Sequence, residues 1–175
     1  MIIMVNGAFG VGKTTVAEAL LKEIDNSMIY DPEEIGYMLR NVVPKDIQLQ
    51  ESKTGDFQDL QMWMELTVET AARFITRYQM NLIVPMTLRN PEYFQYIYNG
   101  LKKLDEDMYA FCLTASKETI YQRLFNRGEQ KGAWCFHQTD ACLEAFEQYD
   151  FGKSLSTENV SVSAIVESIT EQVGY

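Results

Sequence analysis

The sequence is short of cations, of histidine and of cysteine, and it has no long apolar run. Its 15 lysines and arginines stand against 25 acids, for a net charge of −10. That balance argues against a general nucleic-acid surface and against a chain held on anionic lipid. His137 is the one histidine, which excludes chemistry built on several imidazoles. Cys112, Cys135 and Cys142 are odd in number and lack disulfide or zinc-ligand spacing. They read as reduced thiols of a cytoplasmic protein. Cys135-x-His137 with Cys142 has no clear fourth ligand, so a metal centre is not expected there. No apolar stretch reaches bilayer-spanning length, and the opening MIIMVNGAFG has neither the basic flank nor the cleavage site of a signal peptide. No Pro/Gly/Ser-rich tract interrupts the chain, so residues 1–175 read as one domain.

What is present is a core. Apolar residues make up 46% of 175 residues, enough for one well-filled interior. Short apolar strands are predicted at 2–6, 27–30, 82–86, 109–113 and 153–157. Helical periodicity falls between them, at 12–24, 31–40, 58–78, 90–104, 116–126, 139–149 and 162–173. Such alternation implies an α/β fold, a five-stranded parallel sheet with helices on both faces. Ligands of such sheets collect beyond the carboxyl ends of the strands. Residues 41–57, polar and holding Pro44 and Gly55, read as an irregular acceptor-side loop.

The most informative segment is GAFGVGKTT, residues 7–15, placed where the first strand ends. It fits G-x-x-x-x-G-K-[ST], the phosphate-binding loop. Gly7, Gly10 and Gly12 let backbone N–H groups turn inward around phosphate oxygens, with Ala8, Phe9 and Val11 completing the loop. The helix predicted over 12–24, with Lys13, Thr14 and Thr15 in its first turn, adds free donors and a positive dipole end. Lys13 reaches the β- and γ-phosphates, and the Thr14 hydroxyl ligates Mg²⁺. No N-K-x-D guanine-reading motif occurs, which favours ATP. The third strand ends Ile83-Val84-Pro85-Met86-Thr87 without a carboxylate, unlike a motor-type ATPase. The remaining class is the small P-loop NTPase of the nucleoside-monophosphate-kinase type, with a lid over ATP.

Arg123 and Arg127 are four apart at a helix end and share a face. With Gly128, Lys131 and Gly132 they read as a cationic lid over 123–134 that stabilises charge on a transferred phosphoryl group. The same arginines would equally suit a plain helix C-terminus. Asp31 lies just after strand two. It either orients or deprotonates an acceptor hydroxyl, holds Mg²⁺ through water, or caps a helix before Pro32. Arg40 and Arg89 are expected to bind an anionic group of the acceptor, or else to be solvated. Trp63, with Phe57, is either a stacking wall of that pocket or core.

The segments IIMVNGAFGVGKTT, YDPEEIGYMLR, VVPKDI, DFQDLQMW, LIVPMT with PEYF, and TASKETIYQRLFNRGE with a later STENVS resemble the tunicamycin resistance protein family, within the adenylate-kinase-like P-loop kinases. The resemblance spans nearly the whole chain. It implies an ATP-binding protein that acts against a nucleoside antibiotic carrying uridine and N-acetylglucosamine units. It places Arg123 and Arg127 in the lid, Asp31 at the acceptor, and the turn Thr157-Glu158-Asn159 near adenine. Family members can carry a basic amphipathic C-terminal extension linked to membrane association. This sequence stops at Tyr175 without one, so no stable membrane anchor is expected. Two functions follow from these readings. One is a phosphotransferase using ATP and Mg²⁺ on a nucleoside- or sugar-like hydroxyl, with a nucleoside antibiotic or nucleotide sugar as the suspected acceptor. The other is ATP-dependent antibiotic binding without phosphotransfer.

Overall fold

The computed structural model describes residues 1–52 and 54–175. Its centre is β1 (Ile2–Gly7), flanked by β3 (Asn81–Met86) and β4 (Met108–Thr114). β2 (Ser27–Ile29) and β5 (Lys153–Ser156) form the edges, so the order is β2-β3-β1-β4-β5. Every pairing is parallel, with Ile2 opposite both Leu82 and Met108 and Asn6 opposite Met86 and Cys112.

All of β1 is buried because its side chains alternate between two cores. Ile2 and Met4 pack with Trp63, Phe94 and Phe151, whereas Ile3 and Val5 pack with Val16, Leu20, Ile120 and Ile169. A strand covered on both faces reads as an unbroken apolar run, as this one does. The first core is covered by α2 (Glu33–Val42), α4 (Gln61–Tyr78) and α5 (Pro91–Leu104). The second lies under α1 (Lys13–Glu23), α6 (Lys117–Asn126), α7 (Trp134–Gln148) and α8 (Val162–Val173). Side-chain oxygens of the N-cap residues start α5, α6 and α8. Asn90 accepts from Glu92 N–H at 2.9 Å, Ser116 from Thr119 N–H at 3.2 Å, and Ser161 from Ala164 N–H at 3.2 Å.

Three expectations need correction. Residues 41–57 are not irregular throughout: α2 runs to Val42, and α3 (Lys45–Glu51) follows Pro44. Pro44 breaks the first helix and its extended backbone (φ −56°, ψ 143°) opens the second. Gln48 ties the two together, its amide donating to Arg40 O at 3.1 Å and Val43 O at 2.6 Å. α3 buries no residue, so it has no apolar period to read. Lys53 of this segment lies outside the described residues. The helix expected near residue 139 starts at Trp134, because Phe136 packs on Tyr121 and Phe125 with ring centroids 4.8 Å and 5.0 Å away.

The third correction concerns Trp63, which is core and not a pocket wall. It is 0% exposed, and its indole N–H donates to Pro32 O at 2.9 Å. That bond fixes the start of α2. Trp63→Phe keeps most of the apolar volume but removes the shorter of the two hydrogen bonds to the buried Pro32 carbonyl, leaving only Gly36 N–H at 3.3 Å. It is expected to cost about 0.5–1.5 kcal/mol of stability, the net worth of one hydrogen bond, read by denaturant unfolding. Among the described residues no helix is long and apolar enough to cross a membrane.

Candidate functional site

β1 delivers the chain to Gly7, where there is no room for a side chain. A Cβ there would sit 2.7 Å from Val11 Cγ1 and 2.9 Å from Leu113 O. Gly12 has left-handed backbone (φ 113°), and nothing lies within 4 Å of where its Cβ would be. The loop is therefore closed on the core side and open on the other. α1 begins at once, with no capping side chain and no acid in its first turn, so its N-terminal donors stay free. Among the described residues, the Gly10 and Gly12 N–H groups also have no acceptor. A row of unpaired N–H donors at a helix N-terminus is an anion site.

These donors face a cavity of 140 Å³ lined by Phe9, Gly10, Gly12, Lys13 and Thr14. Asp31, Glu33, Thr87 and Arg127 line the same cavity. Lys13 donates to Ala8 O at 3.0 Å. Burial pulls its ammonium down to about 8, with Glu33 and Asp31 opposing the shift. Asp31 Oδ1 accepts from Glu33 N–H at 2.9 Å, so this carboxylate both starts α2 and lines the cavity. The Glu33 carboxyl is pushed above its ordinary range by burial first and by Asp31 second. Tyr37 O–H donates to Glu33 Oε2 at 3.4 Å.

Thr87 is the most unusual member. It is 5% exposed, and its Oγ1 is buried without a hydrogen-bond partner among the described residues. Its position is set by its neighbours. Asn6 Nδ2 donates to Leu88 O at 2.9 Å, Leu88 N–H donates to Asn6 Oδ1 at 2.8 Å, and Gln58 donates to Thr87 O at 2.8 Å. A buried orphan hydroxyl costs free energy, and in a cavity it marks a place for a polar ligand atom.

A second cavity, of 360 Å³, lies on the other side of the loop between Val11, Thr15, Arg123, Val160 and Ile165. Arg127 lines both cavities, and its guanidinium makes no hydrogen bond or ion pair among the described residues. Asn159 has left-handed backbone (φ 54°) and does not line the second cavity; Thr157 and Val160 on either side of it do. Arg40 lines a third cavity, of 250 Å³, with Lys45, Gln48 and Leu49, and its guanidinium lies 4.8 Å over the Phe57 ring. Arg89 is half-buried and lines none of these three.

Residues 3–147 match the family model of the AAA domain. The chain belongs to the AAA domain family. Within that family its fold is that of the P-loop small-molecule kinases. It is similar to the structure of the tunicamycin resistance protein of Deinococcus radiodurans, at TM-score 0.78 and 25% identity, over 99% of this chain and 95% of that one. A sugar kinase from Janibacter sp. HTCC2649 superposes at TM-score 0.69 and 13% identity, over 99% of this chain and 94% of that chain. Shikimate kinase from Bacteroides thetaiotaomicron does so at TM-score 0.65 and 13% identity, over 100% and 99%. No curated protein matches the sequence.

The structure of this AAA domain thus brings Lys13, Thr14, Asp31 and Arg127 to one cavity and leaves Trp63, Arg89 and Asn159 outside it. Glu33 and Thr87 join them without having been singled out in the sequence. Glu33 had a legible signal, two residues after Asp31 and on the same strand-to-helix turn. Thr87 had only its place at the carboxyl end of β3, where a carboxylate was sought.

Proposed function

We propose that the chain is a phosphotransferase that uses ATP with Mg²⁺ to phosphorylate a hydroxyl of a small polar acceptor, a nucleoside antibiotic or nucleotide sugar being the leading class. One observation carries this reading. A single cavity places phosphate-type donors, from Gly10 to Thr14 and Arg127, opposite two carboxylates, Asp31 and Glu33. A phosphate site alone needs no carboxylates, which repel an anion. A phosphoryl-transfer site needs one to receive the acceptor's proton.

The residues present fit the nucleotide. The unpaired Gly10 and Gly12 amides suit phosphate oxygens, and the orphan Thr87 Oγ1 suits a water or phosphate oxygen. Among the described residues no three His, Cys, Asp or Glu side chains form a metal cluster. Thr14 would therefore hold Mg²⁺ together with phosphate oxygens and water, as is usual for this ion. Residues 7–15 hold the phosphates, with Gly7, Ala8, Phe9 and Val11 shaping the turn. Lys13 and Arg127 carry positive charge to the oxygens on which charge builds. ATP supplies the phosphoryl group and leaves as ADP. Glu33 takes the acceptor's hydroxyl proton, and Asp31 orients that acceptor while fixing Glu33 through its N–H. The second cavity houses the nucleoside, with the turn at Asn159 shaping its rim. Arg40 on the third cavity is the candidate anion contact for the acceptor's far end. This whole assembly, with its 123–134 lid, is one kinase domain.

A second reading is ATP-dependent sequestration without transfer. It is favoured by Thr87, the residue just after β3, standing where many P-loop enzymes have an acid. Tunicamycin and UDP-N-acetylglucosamine, each incubated with protein and Mg-ATP, are to be weighed by mass spectrometry. One added phosphoryl mass, absent with Lys13→Met, establishes transfer. ATP-dependent binding of tunicamycin with no mass gain on either compound replaces transfer by sequestration.

A further inference from the structure

Three carbonyl groups of the loop are held by side chains. Ala8 O accepts from Lys13 Nζ at 3.0 Å, and Phe9 O accepts from Thr139 Oγ1 at 3.4 Å. Val11 O accepts from Arg123 Nη1 at 3.0 Å, with Thr157 Oγ1 3.4 Å away. The peptide unit is planar and trans, so its C=O and N–H point in opposite directions. Val11 O and Gly12 N–H belong to the same unit. Pulling Val11 O toward α6 therefore aims Gly12 N–H the other way, into the phosphate cavity that Gly12 lines.

Arg123 is well placed to hold that orientation. Its Nη1 also donates to Thr157 Oγ1 at 2.8 Å, and its Nη2 to Thr157 O at 2.8 Å. Thr157 is 3% exposed, and its N–H donates to Thr114 O at 2.7 Å. Next to it, Glu158 accepts from Ser116 N–H at 2.9 Å and from the Thr119 hydroxyl. The turn after β5 is thereby locked to the end of β4 and the start of α6. Arg123 is a fork whose Nη2 is fixed on this turn and whose Nη1 bridges the turn and the phosphate loop, the kind of fixed multi-donor geometry a lysine lacks.

We propose that Arg123 is a positioning residue that sets the Val11–Gly12 peptide for phosphate binding and does not itself touch the transferred group. Arg127, one turn on and with no partner for its guanidinium among the described residues, is left as the arginine that reaches it. This rests on reading the loop as a phosphate cradle, and it corrects the expectation that both arginines serve the phosphoryl group alike.

The test compares Arg123→Ala, Arg123→Lys, Thr157→Val and Arg127→Ala. Calorimetric affinities for Mg-ADP and Mg-ATP would be combined with ¹⁵N amide spectra of Gly12. Arg123→Ala is expected to weaken both nucleotides by a similar factor, on the order of 10- to 100-fold. It should also abolish the nucleotide-induced shift of the Gly12 amide. Arg123→Lys should recover part of the affinity, and millimolar guanidinium should restore part of it to Arg123→Ala. Thr157→Val, which loosens the fork without removing the charge, should weaken ADP as well. Arg127→Ala should weaken ATP more than ADP and leave the nucleotide-induced shift of the Gly12 amide in place. Unchanged ADP affinity and an unchanged Gly12 shift in Arg123→Ala would overturn the proposal, as would full affinity in Thr157→Val. If the wild type binds neither nucleotide, the cradle reading and this proposal fall together. If ADP binding depends on Arg123 yet no acceptor is phosphorylated, the proposal stands and only the kinase reading fails.

Discussion

Glu33→Gln is expected to lower turnover about 10²- to 10⁴-fold while leaving Mg-ATP affinity within about twofold, the range set by loss of a general base. The substitution keeps size and hydrogen-bonding shape and removes only the ability to take a proton. Glu33 is the better base of the two carboxylates for a physical reason. Burial and the neighbouring Asp31 push its pKa up, toward the operating pH, where a base is most effective. Asp31 has one oxygen committed to Glu33 N–H. Asp31→Asn retains that acceptor atom and should cost less turnover than Glu33→Gln. The pH profile supplies an independent check. Glu33 must be ionised to act, so kcat/KM should rise with pH through an acid limb above the ordinary glutamate value, and Glu33→Gln should erase that limb. Equal losses in the two variants, or a limb at the ordinary value, would remove Glu33 from the role.

The second large effect concerns Lys13. Lys13→Met should weaken Mg-ATP by about 10- to 150-fold, the worth of one hydrogen bond to a charged group. In the free protein, burial pulls the ammonium down to about 8, and only the charged form attracts phosphate. Affinity should then fall about tenfold from about pH 7 to about pH 9, as the free lysine loses its proton. The sign follows from linkage: the complex holds the proton more tightly than the free protein, so raising pH opposes binding. Calorimetry across this range, with Lys13→Met as the flat reference, decides it. A flat wild-type profile would mean that Lys13 stays charged in the free protein.

Much of this was legible locally. Residues 2–15 combine an apolar strand, three glycines and a helix start within one short stretch, and strand, loop and helix all form where expected. The helix from Val162 is equally plain, because Ile165, Val166 and Ile169 all face the core. α3 was illegible because it buries nothing, and a helix without an inward face leaves no period. Trp63 could not be assigned from spacing alone, since its deciding contact is with Pro32. The spacing of Arg123 and Arg127 correctly put them on one helix end. It could not show that Arg123 turns to Val11, 112 residues earlier. Pairings across such distances are the product of the fold, and no local pattern encodes them.

The middle place of β1 in the sheet bears on how the molecule is made. Its neighbours begin only at Asn81 and Met108, so the nascent strand Ile2–Gly7 leaves the ribosome long before either partner exists. Until then its apolar residues have helices but no strand to pair with: α1 on one face, and α2 and α4 on the other. Closing such distant pairs is slow, and exposed strand edges aggregate. Refolding from denaturant should accordingly be slow and concentration-sensitive, and synthesis should benefit from a chaperone that shields the first strand.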